Sequence, residues 1–393
     1  MLHTFLSVLA VIPLSVLASP TFWGPPPCPS EEPSTQNIST ANSFTSTFGR
    51  PFPTSSIKPP APQNTSTPQN SSTSSSPSST FGVPIPRPSS SGSPQSNSTS
   101  KYRIIDNYDK DTFFDGFTFF NAPDPTNGNV DFVDGDEAFA SGLAQVQNDG
   151  TIVLAVDSTT QLTPGQNRKS VRVTSNKSYN SGTLFIADIF AMPHGCAVWP
   201  AYWMVGPNWP NGGEVDILEG VNDQTTNQIT AHTGTNCHVN GGVQTLGKLL
   251  GGACQSANGV NAGCAFSLPD TSSYGHQFNL QSGGVYAHTW EPDAIKVYFF
   301  SRGAIPQDIL DGKPNPDSWG TPAALFTDNT GCNIEDSFQD HSIVFDITLC
   351  GDWAGSAYGS MGCPGTCQQQ VADPANFQLA QFKISSVKVY GHN

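Results

Sequence analysis

Asn211-Gly212-Gly213-Glu214-Val215-Asp216-Ile217-Leu218-Glu219 sets three carboxylates into six residues of otherwise apolar, strand-like sequence. A β-strand turns successive side chains to opposite faces, so Glu214 and Asp216 share one face while Val215 and Ile217 point into a core behind them. Strict alternation would put Leu218, not Glu219, beside the first two acids. One extra residue, a β-bulge, returns Glu219 to that face, and bulges recur where a side chain is re-aimed at a site. The spacing predicts a bulged strand with three acids in a row along one cleft wall.

Crowded carboxylates cannot all ionise cheaply, so one keeps its proton near neutral pH. A retaining glycosidase needs that division of labour: one carboxylate attacks, and the other, about 5 Å away, serves first as acid and then as base. Taken alone, the hexapeptide also allows a polar strand face turned to solvent. An Asp/Glu cation site is the remaining alternative, although hard cations usually take their ligands from loops.

Around this strand, strand-like runs recur between turn signals: 151–156, 170–174, 182–190, 197–205, 228–232, 285–290, 295–300, 343–349 and 377–390. Pro292-Asp293-Ala294 reads as a hairpin turn between two of them. Helical periodicity is nearly absent, and no internal repeat stands out. Many short strands with abundant glycine predict an all-β, jelly-roll sandwich with a concave cleft for substrate.

The ends of the 393-residue chain read differently. Residues 1–18 resemble a secretory signal, with an apolar run from Phe5 to Leu17 and a small-residue exit at Val16-Leu17-Ala18, cleaved after Ala18, although His3 is the one candidate for a basic start. Residues 19–100 are rich in Pro, Ser, Thr and Asn and cannot bury enough apolar area to offset their ordering entropy. Asn37, Asn64, Asn70 and Asn97 open Asn-x-Ser/Thr sequons there, which predicts a disordered, glycosylated stalk. Asn176 is the sequon beyond it. Residues 101–393 remain as one folded domain. No further segment is apolar and long enough to span a bilayer, and the expected product is a secreted protein, acting as a monomer.

Of nine cysteines, Cys28 lies in the stalk; the other eight are Cys196, Cys237, Cys254, Cys264, Cys332, Cys350, Cys363 and Cys367. In an exported chain an even set predicts up to four disulfides rather than zinc ligation, with connectivity left open. The net charge of −15 argues against nucleic acid and anionic membranes and favours a neutral substrate. Acids gather at Asp106, Asp109, Asp111, Asp115, Asp131, Asp134, Asp136 and Glu137, where solvated loops are the first reading and a structural calcium the second. No nucleotide loop, Gly-x-Ser-x-Gly elbow or His-Glu-x-x-His motif occurs, so no cofactor is expected.

Trp199-Pro200-Ala201-Tyr202-Trp203 and Asn208-Trp209-Pro210 stand just upstream of the acids. Pyranose rings present flat C–H faces that suit indole, and the indole N–H stays free to donate. On one strand Trp199 and Trp203 share a face; Trp209 sits in a Pro-flanked loop and is the best ligand candidate, although tryptophans in a sandwich commonly serve the core. His232 follows on the next strand, placed either to tune Glu219, to touch a sugar, or to play a structural part. Phe113 to Phe120 reads as core or edge packing.

These residues, from Trp199 through Glu219 and Gly220, resemble glycoside hydrolase family 16, in particular its fungal endo-1,3(4)-β-glucanases. Its motif is Glu-x-Asp-x-x-Glu in a bulged branch and Glu-x-Asp-x-Glu in an unbulged one; this chain has the first. The resemblance implies Glu214 as nucleophile, Glu219 as acid/base and Asp216 as an auxiliary acid. It also implies substrate contacts at Trp203, Trp209, Trp199 and His232, and a β-1,3 or mixed-linkage β-glucan as partner. A transglycosylase or a non-catalytic glucan-binding protein of the same fold are the competing expectations.

Overall fold

The computed structural model describes residues 100–393 except 235–236, 258–259 and 330–331. The signal segment, the stalk with its sequons and Cys28 lie outside the described residues. Two antiparallel sheets face each other. One runs in the order Lys248–Gly251, Cys264–Ser267, Gln228–His232, Glu214–Glu219, Val198–Val205, His341–Leu349, Arg172–Tyr179 and Phe117–Phe119. The other runs Ala324–Thr327, Ala294–Ser301, Gly284–Glu291, Thr183–Ala191, Gln381–His392, Ile152–Ala155 and Ala144–Val146, with Tyr102–Tyr108 also paired to Gln381–His392. This is a jelly-roll sandwich, and the described α-helices are short, none longer than Gly135–Ala140 or its equals.

The core explains which way each strand faces. Val215, Ile217 and Leu218 are buried with Tyr202, Met204, Ile343, Phe345 and Ile347 from neighbouring strands, against Phe185, Ile189, Phe382 and Ile384 of the opposite sheet. Tyr202 stacks on Phe345 with ring centroids 4.6 Å apart. Burying an aliphatic side chain of this size is worth about 2 kcal/mol. The alternate residues must therefore turn outward, and the sheet's outer face is left to polar groups.

Ten strand-like runs of the sequence have strand counterparts. The last begins at Gln381, because Asp373 caps Ala375 N and Pro374–Phe377 turns as a 3-10 segment first. The hairpin at Pro292-Asp293 closes between Glu291 and Ala294. Strands at Tyr102–Tyr108, Val130–Phe132, Lys248–Gly251 and Cys264–Ser267 carry little periodicity in sequence and were not expected. Phe113 and Phe117 stack in the core at 4.4 Å, while Phe117–Phe119 forms the sheet edge. The eight cysteines make four bridges: Cys196–Cys363, Cys237–Cys332, Cys254–Cys264 and Cys350–Cys367.

The early acids have local partners. Asp134 caps the Gly135–Ala140 helix through Glu137 N, Glu137 pairs with Lys169, and Asp106 pairs with Lys177. Among the described residues no helix is long and apolar enough to cross a membrane.

Candidate active site

The bulge is where the spacing asked for it. Asp216 pairs with Trp203 and Leu218 with Tyr202 on one side, so two residues of the carboxylate strand advance against one of its neighbour. On the other side Asp216 pairs with Thr230 and Glu219 with Gln228, again one residue in excess. Ile217 and Leu218 both turn inward, and Glu214, Asp216 and Glu219 all line one cleft of about 400 Å³.

The turn that enters this strand is built by its glycines. A Cβ on Gly212 would strike the Pro207 carbonyl, and Gly213 adopts a φ of 79° while packed on the Ser337 carbonyl. His341 Nε2 donates to the Gly212 carbonyl over 2.8 Å, fixing the turn from below. The turn holds Trp209 at the cleft rim, 46% exposed. Trp199, Ala201, Trp203 and Val205 line the floor beside the acids.

Each acid has its own surroundings. Trp199 Nε1–H donates to Glu219 Oε1 over 2.9 Å, and Trp353 braces the Trp199 ring edge-on at 5.6 Å. Asn227 fixes the Glu219 backbone through its side-chain oxygen, 2.9 Å from Glu219 N. His232 stands opposite Glu214 in register, with Nε2 3.4 Å from Asp216 Oδ2 and 3.8 Å from Glu214 Oε1. Its ring nitrogen comes close to Asp216 and Glu214, on the same sheet face as Glu214, and its charge also bears on Glu219.

Burial first, and then Asp216, push the Glu214 carboxyl up to about 8; His232, Trp209 and Arg172 pull the other way. Asp216 is likewise raised to about 8 by burial and by Asp346. Glu219 is held well above the ordinary carboxylate range by burial and Asp216, with the Trp199 hydrogen bond opposing. The cluster keeps protons at neutral pH, as acid catalysis at that pH demands. Among the described residues Glu214, Asp216 and His232 are also the group whose ligand atoms all come within 4.8 Å of one another.

Two residues beside the acids escaped the sequence reading. Asp346 accepts from Trp203 Nε1 at 3.2 Å and faces Arg172 Nη1 at 3.8 Å, and Arg172 lies over the rings of Trp203 and Phe120 at 4.9 and 4.8 Å. A signal was present: a lone Asp inside Ile343-Val344-Phe345-Asp346-Ile347 is the same costly charge in an apolar run that drew notice to Glu214.

Residues 117–390 match the family model described as the XgeA-like catalytic domain of glycoside hydrolase family 16. The chain belongs to glycoside hydrolase family 16. The family-16 domain is 42% identical over 294 residues to a probable glycosidase of Schizosaccharomyces pombe, covering 74% of this chain and 69% of that one. It is 38% identical to the endo-1,3(4)-β-glucanase xgeA of Emericella nidulans, covering 75% of this chain and 48% of the relative. The chain thus spans about half the length of the endo-glucanase relatives it matches. Laminarinase 16A of Phanerochaete chrysosporium, solved with 6-O-glucosyl-laminaritriose in donor and acceptor sites, superposes with a TM-score of 0.71 at 42% identity. That match covers 74% of this chain and 99% of the laminarinase. A family-16 elongating β-1,3-glucosyltransferase superposes with a TM-score of 0.70 at 40% identity, covering 74% and 99%.

Proposed function

We propose that the family-16 domain is a retaining endo-glucanase that hydrolyses β-1,3 or mixed-linkage β-1,3(4)-glucans. The observation that carries the reading is the bulge: it sets Glu214 and Glu219 on the same cleft face with different partners, so one cluster holds both a nucleophile and an acid. The likeness to laminarinase 16A supports the choice of substrate. The likeness to endo-1,3(4)-β-glucanases supports attack within a chain rather than at its end.

In the first step Glu214 attacks the anomeric carbon as Glu219 gives its proton to the departing glucosyl oxygen. The C1–O bond breaks and a Glu214–C1 ester forms. In the second, Glu219 takes a proton from water, the water oxygen bonds C1, and Glu214 leaves. Asp216 lies between the two and holds the nucleophile. Trp203 and Trp209 are sugar platforms, and Trp199 orders Glu219. His232 stands beside Glu214 and Asp216 on the neighbouring strand and lines the catalytic subsite with them. The protein would be exported and act as a monomer without a cofactor, and a disulfide-rich domain suits that compartment.

Transfer to a sugar hydroxyl instead of water is the second reading, favoured by the 40% identity to an elongating glucosyltransferase. Laminarin incubation separates them: hydrolysis raises reducing ends as chains shorten. Lengthening products with no net gain in reducing ends would sink the hydrolytic reading. Glu214→Gln should lose activity by several orders of magnitude while still binding glucan.

A further inference from the structure

The support for His232 lies in a loop with no role assigned so far, closed at its base by the Cys254–Cys264 bridge. Ser256, buried there, has its Oγ 3.0 Å from His232 Nδ1 and 2.9 Å from Asn261 Oδ1. Gly263 lets the loop close over the ring, because a Cβ there would meet His232 Cε1 at 2.8 Å. Asn261 itself is exposed and lines the cleft.

Proton counting gives this chain a direction. The Asn261 carbonyl oxygen can only accept, so the one hydroxyl proton of Ser256 goes to it. Ser256 Oγ then offers only lone pairs to His232, and Nδ1 must be the donor. A neutral imidazole carries one proton, so Nε2 is bare. What faces it is Asp216 Oδ2 at 3.4 Å, a buried oxygen with no hydrogen-bond partner of its own. A bare nitrogen against a bare carboxylate oxygen is repulsive, and a proton on Asp216 removes the conflict.

We infer that Ser256 and Asn261 are positioning residues for the reaction: they hold His232 in the tautomer with its proton on Nδ1, whose bare Nε2 keeps a proton on Asp216 and leaves Glu214 free to carry charge. The inference rests on the nucleophilic role of Glu214. It also reconciles three crowded acids, since a neutral Asp216 no longer opposes ionisation of its neighbour. The other charged groups around the ring are Glu214 and Glu219 on the carboxylate strand, with Asp346 acting on Asp216 from two strands away and Arg172 on Glu214 from three. The sequence 252–263 contributes no titratable side chain.

The full chain labelled with ¹⁵N-histidine tests this directly. Near neutral pH, His232 is expected as the Nδ1–H tautomer, and Asn261→Ala or Ser256→Ala should shift it toward Nε2–H. With Nε2–H donating, Asp216 ionises and Glu214 holds its proton more tightly. The acid limb of kcat/KM on laminarin should then move up by about one pH unit, a tenfold loss at pH 5 with the plateau retained. Ser256→Thr, which keeps the hydroxyl, should restore the native limb. Native His232 as Nε2–H or as imidazolium, or variants that lose activity equally at every pH, would overturn the inference. Absence of laminarin hydrolysis by the native chain would instead sink the functional reading and leave the tautomer result standing.

Discussion

A single indole restrains the proton affinity of Glu219. The Trp199 N–H at 2.9 Å stabilises the charged carboxylate and so pulls its pKa down against burial. Trp199→Phe keeps the ring and loses the donor, so the basic limb of the laminarin pH profile is expected to move to higher pH. A limb that stays put or moves down would show that this hydrogen bond does not set the acid. The acids and the tryptophans were legible in sequence because charge in an apolar strand is conspicuous. Ser256 and Asn261 were not, since their part depends on a loop folding back over His232, and nothing in a Gly- and Asn-rich stretch announces that.

At the scale of the strand, the bulge converts an awkward spacing into a common face. Deleting Ile217 yields Glu-Val-Asp-Leu-Glu, in which plain alternation keeps all three acids together, as in the unbulged branch of the family. Laminarin hydrolysis should survive in that variant, although losing a buried isoleucine costs about 2–5 kcal/mol of stability, readable by urea unfolding. Loss of laminarin hydrolysis by a folded deletion variant would refute the register argument. Strands with strong apolar character were readable one by one, whereas Lys248–Gly251, half-exposed and polar at its start, exists because Cys264–Ser267 pairs with it. Its stability is tertiary, and propensity alone does not carry it.

For the whole molecule, raised carboxyl pKa values are a statement about stability. A folded state that holds its proton up to about 8, against an ordinary value of 4.5, binds more protons than the unfolded chain across that window. Stability contributed by Glu214 is therefore full below about pH 4.5 and is lost as pH rises toward 8. Glu214→Gln removes the titration, so its melting temperature should gain on the native protein from pH 5 to pH 8. Parallel curves in thermal unfolding would contradict the shift. The sandwich class was legible from strand number and turn spacing, and an even cysteine set pointed to four bridges. Their pairing was not, because Cys363 and Cys367, with three residues between them, reach back to Cys196 and to Cys350 only once the sheets have packed.

The cleft is lined by five acids, Glu214, Asp216, Glu219, Asp346 and Asp352, and by one arginine that is already stacked and paired. As rising pH removes the protons that burial holds on Glu214, Asp216 and Asp346, such a surface becomes a sieve for charge. A neutral glucan enters without opposition, while a uronate-bearing or sulfated polysaccharide of similar shape meets repulsion along the whole floor. That repulsion weakens as salt screens it.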